Sequence, residues 1–193
     1  MRIPLKTTLI AGAAGALVGA IVLTPTSAAA IAASDRARID RGRYLVDIMA
    51  CSDCHTPMKM GPKGPEPDMS RFLSGHPEQV GPLPAAAPQG PWLWTGAATN
   101  TAFAGPWGVS YAANLTPDQN TGLGIWTEEM FVKAIRSGRH MGTSRDILPP
   151  MPWPAIRHAS DEDLKSIYAY LRSLKPFTNH VPDPQPPAAQ ATH

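Results

Sequence analysis

Apolar residues recur at helical spacing in three stretches of the chain. Over residues 35–49, Ile39, Leu45, Ile48 and Met49 form a stripe, with Ser34 placed to cap and Asp35 suited to a helix's positive end. Over residues 127–137, Met130, Phe131, Ala134 and Ile135 line one face; Thr127 caps, Glu128 and Glu129 fill the first turn, and Gly138 ends the helix. Over residues 160–174, Leu164, Ile167, Tyr168, Leu171 and Leu174 repeat with the same period. There, Ser160 and Asp163 make a capping pattern and Pro176 stops the helix. Residues 56–113 have no period. Pro and Gly interrupt them, charges are few, and Trp92, Trp94 and Trp107 stand out. Their apolar content argues against disorder and predicts a long ordered loop with at most one short hairpin. From Pro176 onward the chain is Pro- and Ala-rich, which predicts a mobile tail over 177–193. The pattern as a whole predicts an all-α fold of three main helices interrupted by one Pro/Gly/Trp-rich loop insertion.

The start of the chain reads differently. Arg2 and Lys6 precede an apolar run over residues 9–23, Pro25 breaks it, and Ala28, Ala29 and Ala30 follow. Positive, then apolar, then small is the order of a secretory signal peptide, assigned here to residues 1–30. The run is short for a clean membrane span; left uncleaved it would instead anchor the protein to the inner membrane. Either way the working part lies outside the cytoplasm, most simply in a bacterial periplasm.

Charge narrows the partners. The net charge is +2 over 193 residues, and Arg2 and Lys6 account for the surplus. A near-neutral body lacks the uncompensated Lys/Arg cluster that nucleic acid requires. Prolines number 22, more than twice the average share of roughly 5%. There are 2 cysteines, so one disulfide at most.

Those cysteines carry the chemistry. Cys51-Ser52-Asp53-Cys54-His55 is C-x-x-C-H, the c-type haem attachment pattern. Two thiols three residues apart reach two vinyl groups on one porphyrin edge and become thioethers. The adjoining imidazole then lies under the iron as proximal ligand. A Cys51–Cys54 disulfide would close a strained ring and leave His55 unexplained. A thioredoxin-like dithiol needs a βαβ context that the sequence lacks. Zinc needs two more ligands, and His76, His140, His158, His180 and His193 do not form the usual pair.

One motif predicts one covalent haem c, with its iron. For the sixth ligand, Met49 is too near the motif, Met130 fits its helix stripe, and Met58, Met60 and Met69 lie in the Gly/Pro-rich segment. Met141 follows His140 in a Gly-bounded loop and competes. Met151 is the leading candidate: in Leu148-Pro149-Pro150-Met151-Pro152-Trp153-Pro154, prolines on both sides stiffen the loop before any metal arrives. A His/Met pair raises the reduction potential and closes both faces of the iron, leaving electron transfer as the chemistry. The alternatives are a haem peroxidase or oxidase with an open sixth site and His140 or His158 in a distal pocket, or a haem sensor with a histidine as sixth ligand.

From about residue 35 to residue 175 the sequence resembles the monohaem c-type cytochromes with His/Met ligation, in particular the cytochrome c domains and subunits that serve periplasmic dehydrogenases. The resemblance is carried by Gly42-Arg43-Tyr44-Leu45 leading into Cys51–His55, by Asn114-Leu115-Thr116-Pro117-Asp118 with Thr121 through Thr127, by the Met151 loop, and by Asp161-Glu162-Asp163-Leu164 with Tyr168-Ala169-Tyr170-Leu171. It implies a cytochrome c-like domain over 35–176, with first and last helices crossing at Gly42 and an aromatic, Tyr168, packed there. It also implies Trp126 and Asn114 as haem propionate contacts. The protein would be an electron-transfer protein and not an enzyme. Its redox partners would be a dehydrogenase and, downstream, a terminal oxidase or other cytochromes of the respiratory chain. The 56–113 insertion departs from the small members of the class. It leaves room for a docking surface, a cover over the haem edge, or a local mini-core around the tryptophans.

Overall fold

The computed structural model describes residues 28–84 and 90–187; the apolar N-terminal run and residues 188–193 lie outside them. Helices α1 (Ala28–Ile48), α3 (Glu128–Ser137) and α5 (Asp161–Ser173) enclose the core, while two short helices, α2 (Cys51–His55) and α4 (Trp153–Ile156), carry the connections. Leu45 and Val46 of α1, Phe131 and Ile135 of α3, and Leu164, Ile167 and Leu171 of α5 form one buried cluster with Leu73 and Leu123. Among the described residues no helix is long and apolar enough to cross a membrane.

The helix ends follow from their caps. Thr127 Oγ1 accepts the Met130 N–H at 3.2 Å, and Gly138, at φ 69°, closes α3 by donating its N–H to Ala134 O. Ser160 Oγ accepts the Asp163 N–H at 3.1 Å at the start of α5. The first helix differs from its expected form. Within the described residues it runs from Ala28, and Ser34 is internal, donating its hydroxyl to Ile31 O rather than capping. Its buried face runs through Gly42, Leu45 and Val46, whereas Ile48 is 57% exposed.

α1 crosses α5 at Gly42. A Cβ there would fall 1.9 Å from Ser166 O and 2.8 Å from Tyr170 Cβ, so only glycine allows this approach. The aromatic at the crossing is Tyr170, not Tyr168. Tyr168 turns to α3, its ring 5.7 Å from Phe131 and its hydroxyl donated to Trp126 O at 2.6 Å. Ion pairs add to the helix contacts: Arg41 to Asp163 at 2.9 Å, and Arg38 to Glu128.

The expectation of an all-α fold is corrected by the insertion. Among the described residues, 56–113 hold five short strands in two antiparallel sheets, so the architecture is mixed α/β. β1 (Met58–Gly61) and β2 (Gly64–Pro67) pair across a two-residue turn, and β3 (Thr95–Gly96), β4 (Ala102–Gly105) and β5 (Gly108–Tyr111) form a meander. Glycines at the turns, Gly64 at φ 118° and Gly108 at φ 91°, let four-residue segments fold back and pair their backbone groups. Strands this short leave too few residues for alternation to register in the sequence.

Residues 177–187, expected as part of a mobile tail, lie along the body as a strap. Gln185 and Val109 exchange both backbone hydrogen bonds at 2.9 Å, and Phe177 stacks under the Arg71 guanidinium at 5.0 Å.

Candidate functional site

A left-handed residue, Ala50 at φ 55°, ends α1 and turns the chain into α2, which carries Cys51, Cys54 and His55 in a single helical turn and a half. Both thiols are unpaired and half-buried. Burial pushes the Cys51 thiol up to about 11 and also raises Cys54. A redox dithiol is favoured by the opposite shift, toward thiolate. Among the described residues no three His, Cys, Asp or Glu side chains converge to hold a metal ion.

His55 is buried, and burial holds its imidazole below the ordinary range. Its Nδ1 lies 2.7 Å from Ala113 O, a geometry that places the proton on Nδ1 and leaves Nε2 as the free basic nitrogen. The backbone around it is pinned. Gly75 N–H donates to His55 O at 2.8 Å, and Thr56 N–H to Ser52 O at 2.9 Å; Thr56 Oγ1 accepts the Leu73 N–H at 3.0 Å. Two free thiols on one turn, beside an imidazole with its far nitrogen oriented, are a donor set that fits a covalently held haem.

The Met151 loop reaches the same core. Met151 is half-buried against the hydrophobic cluster, as are Cys51, Leu115 and Trp126. Ser110 of β5 donates to Pro149 O at 2.6 Å, and Gly138 abuts the Trp153 ring, where a Cβ would come within 2.4 Å. The other methionines fare differently. Met60 and Met69 are 79% and 64% exposed, and Met130 sits at the α3 cap with its sulfur 3.5 Å from Thr127 N. Met141 is half-buried at φ 53°. His140 lies edge-on to Trp126 with ring centroids 5.1 Å apart, and His158 is exposed.

Asn114 is buried, and its amide is committed within the protein. Nδ2 donates to Phe177 O at 2.8 Å and Thr121 Oγ1 at 3.1 Å, while Oδ1 accepts from Thr116 N and Thr116 Oγ1. Trp126 is half-buried on the core, held by the Tyr168 hydroxyl on its carbonyl. Sequence reasoning missed Ser110, Asn100 and Asn179. Asn100 Nδ2 donates to Asp53 O, between the two cysteines, at 2.8 Å, so the β3–β5 sheet touches the C-x-x-C-H segment at one end and the Met151 loop at the other. No period or motif marks these residues, because each acts through side-chain hydrogen bonds across a long sequence separation.

The tryptophans divide. Trp107 is half-buried beside Gly105, whereas Trp92 and Leu93 are 71% and 67% exposed and Trp94 rests edge-on against Phe103.

No protein-family profile matches the chain. It is similar to the fructose dehydrogenase cytochrome subunit of Gluconobacter japonicus, with 31% identity over 175 residues, 90% of this chain and 28% of that protein. It is 34% identical over 155 residues to the gluconate 2-dehydrogenase cytochrome c subunit of Pantoea cypripedii, covering 79% and 27% of the two. With the cytochrome c subunit of alcohol dehydrogenase (quinone) of Gluconobacter oxydans it shares 31% identity over 154 residues, 78% and 25%. The chain thus spans roughly a quarter of the length of the curated relatives it matches. Over most of its own length, the chain is a homologue of the cytochrome c subunits of fructose, gluconate and alcohol dehydrogenases.

Proposed function

We propose that this chain carries single electrons in the periplasm through one covalently attached haem c. Cys51 and Cys54 hold the haem as thioethers, His55 Nε2 is the proximal ligand and Met151 the distal one. The observation that carries the reading is His55. A buried imidazole directly follows two unpaired thiols, and its Nδ1–H is already donated to Ala113 O, so the ring is set to ligate through Nε2. When bound, the haem supplies the one-electron couple.

The chain's own residues do the rest. The prolines around Met151 and the Ser110 bond to Pro149 O hold a thioether donor in place at little entropic cost. A methionine there excludes dioxygen and peroxide from the iron, which favours electron transfer over oxidase or peroxidase chemistry. Trp126 is the proposed propionate contact, and Asn114 supports the neighbouring loop from inside. Electrons would come from a dehydrogenase, as the names of the relatives suggest, and pass to the respiratory chain.

Two measurements on the exported protein test this. Mass spectrometry should find one haem mass fixed to the peptide bearing Cys51 and Cys54; free, alkylatable thiols would refute the attachment. The oxidised protein should show a thioether-to-iron charge-transfer band, lost in Met151→Ala together with a gain of carbon monoxide binding when reduced. Survival of the band in that variant would remove Met151 as the ligand.

A further inference from the structure

Asn179 lies in the strap that follows α5 and is only 1% exposed. Its side chain is used at every hydrogen-bonding position. Oδ1 accepts from Arg71 Nη2 at 3.0 Å and from the Glu78 N–H at 2.9 Å; Nδ2 donates to Ser74 O at 2.7 Å and His76 O at 2.9 Å. Two donors face the oxygen and two carbonyls face the nitrogen, so the amide has one workable orientation.

The turn it grips is the turn that holds His55. Gly75 N–H donates to His55 O at 2.8 Å, and His76 N–H donates to Ala112 O at 2.9 Å. Ala113 O, on the next residue, receives the His55 Nδ1–H. There is no slack between these pieces: a Cβ on Gly75 would lie 2.5 Å from Ala112 O. The strap also fixes the far side of the same segment. Asn179 N–H donates to Thr121 Oγ1 at 3.1 Å, and Phe177 N–H to Thr116 Oγ1 at 3.0 Å. Both backbone contacts of the histidine, the one on its carbonyl and the one on its ring, therefore adjoin the turn that this asparagine holds, which Thr101 also braces through Ala112 N–H and the His76 ring.

We propose that Asn179 is a positioning residue for the haem-ligating histidine: by clasping the 74–76 turn against residues 112–113 it fixes the direction of the His55 Nδ1–H···O bond, and with it the orientation and basicity of Nε2. The proposal rests on the haem reading above. A firm Nδ1–H donation raises the basicity of the ligand and favours ferric iron. Loosening it therefore raises the reduction potential.

The test uses the exported holoprotein with Asn179→Ala and Asn179→Ser, and Gln185→Ala as comparison. Gln185 belongs to the same strap, but its amide goes to Leu83 O at 2.9 Å and Tyr111 Oη at 2.7 Å; it reaches the 74–76 turn only through the Tyr111 ring beside the His76 side chain, 4.9 Å between centroids, and binds none of the turn's backbone groups that Asn179 holds. Asn179→Ala is expected to shift the reduction equilibrium toward ferrous iron by threefold or more and to move the paramagnetically shifted ring-proton resonances of His55. Asn179→Ser, whose hydroxyl can keep one donation, should move both readouts the same way by less. It decides the matter if the alanine variant does not fold. Gln185→Ala should lower stability and leave both readouts in place. Asn179 variants that lose stability as Gln185→Ala does, with potential and resonances unchanged, would overturn the proposal and leave Asn179 as ordinary packing. A native protein without covalent haem would instead overturn the haem reading itself, before any variant is compared.

Discussion

Replacing Ser110 with alanine isolates what the inserted sheet does for the Met151 loop. Ser110 is buried on β5, and its hydroxyl donates to Pro149 O at 2.6 Å. Pro149, Pro150 and Pro152 have no N–H to spend on tying the loop down, so this bond from outside matters more than it would in an ordinary turn. A neutral hydrogen bond is worth about 1 kcal/mol net, rising toward about 3 kcal/mol when the abandoned carbonyl stays dry. Pro149 is exposed, so water can replace the lost donor and the lower figure applies. A loss of about 1 kcal/mol multiplies the population of the loop-open state about fivefold. An external ligand that needs the open state gains apparent affinity by the same factor. Titrating oxidised Ser110→Ala holoprotein with imidazole should therefore show about fivefold tighter binding than the native protein. Unchanged imidazole affinity alongside a measurable loss of global stability would refute the reasoning, because the bond would then hold the sheet and not the sulfur.

Gly42→Ala must push Ser166 O away from a Cβ at 1.9 Å; overpacking of this kind costs about 1–3 kcal/mol, and an unchanged midpoint of thermal unfolding would show that the crossing is looser than described. Trp92→Ser, at a site 71% exposed, should alter stability by less than about 0.5 kcal/mol, whereas Trp107→Ala should cost at least about 1 kcal/mol; equal losses in urea unfolding would contradict the division of the tryptophans. His76 is fully buried, with Nε2 2.9 Å from Gly81 O and Nδ1 2.9 Å from Thr101 Oγ1, and burial keeps its imidazole below the ordinary range. The unfolded chain then takes up a proton that the folded one refuses. Stability through this group is complete above pH of about 6.5 and declines as pH falls through that value toward the folded pKa. His76→Gln should shrink the stability difference between pH of about 7.5 and 5.5. Part of the slope persists, because burial and then Arg145 also lower His140; an undiminished slope would show that His76 is not its source.

How far the sequence could be read depended on the range of the interaction. Thr127, Gly138 and Ser160 act on neighbours three or four residues away, and α3 and α5 end within a residue or so of where those caps place them. Cys51, Cys54 and His55 declare themselves because their spacing is itself the signal. Gly42 was legible as a crossing point, but its aromatic partner was not. Tyr168 and Tyr170 are two residues apart on one helix, about 200° around it, and only the packed structure shows which faces α1. Ile48 fits a helical stripe and is nonetheless solvent-facing, because the glycine crossing and not the apolar count sets the rotation of α1. At most one short hairpin was expected in residues 56–113; the rest of the two sheets escaped notice because strand pairing there rests on glycine turns. The strap escaped because a Pro- and Ala-rich composition says nothing about polar groups waiting for it on Arg71, Ser74 and Thr121.

The strap also changes where a border can be drawn in this molecule. A fusion or graft cut after α5, at residue 176, would keep every helix and both sheets. It would also leave the Ser74 and His76 carbonyls and the Glu78 amide without the residue that binds them, and strip Val109 of its ladder partner. Transplanting the unit intact means carrying the sequence through Gln185, so that whatever is joined to it begins beyond the last hydrogen bond instead of beyond the last helix.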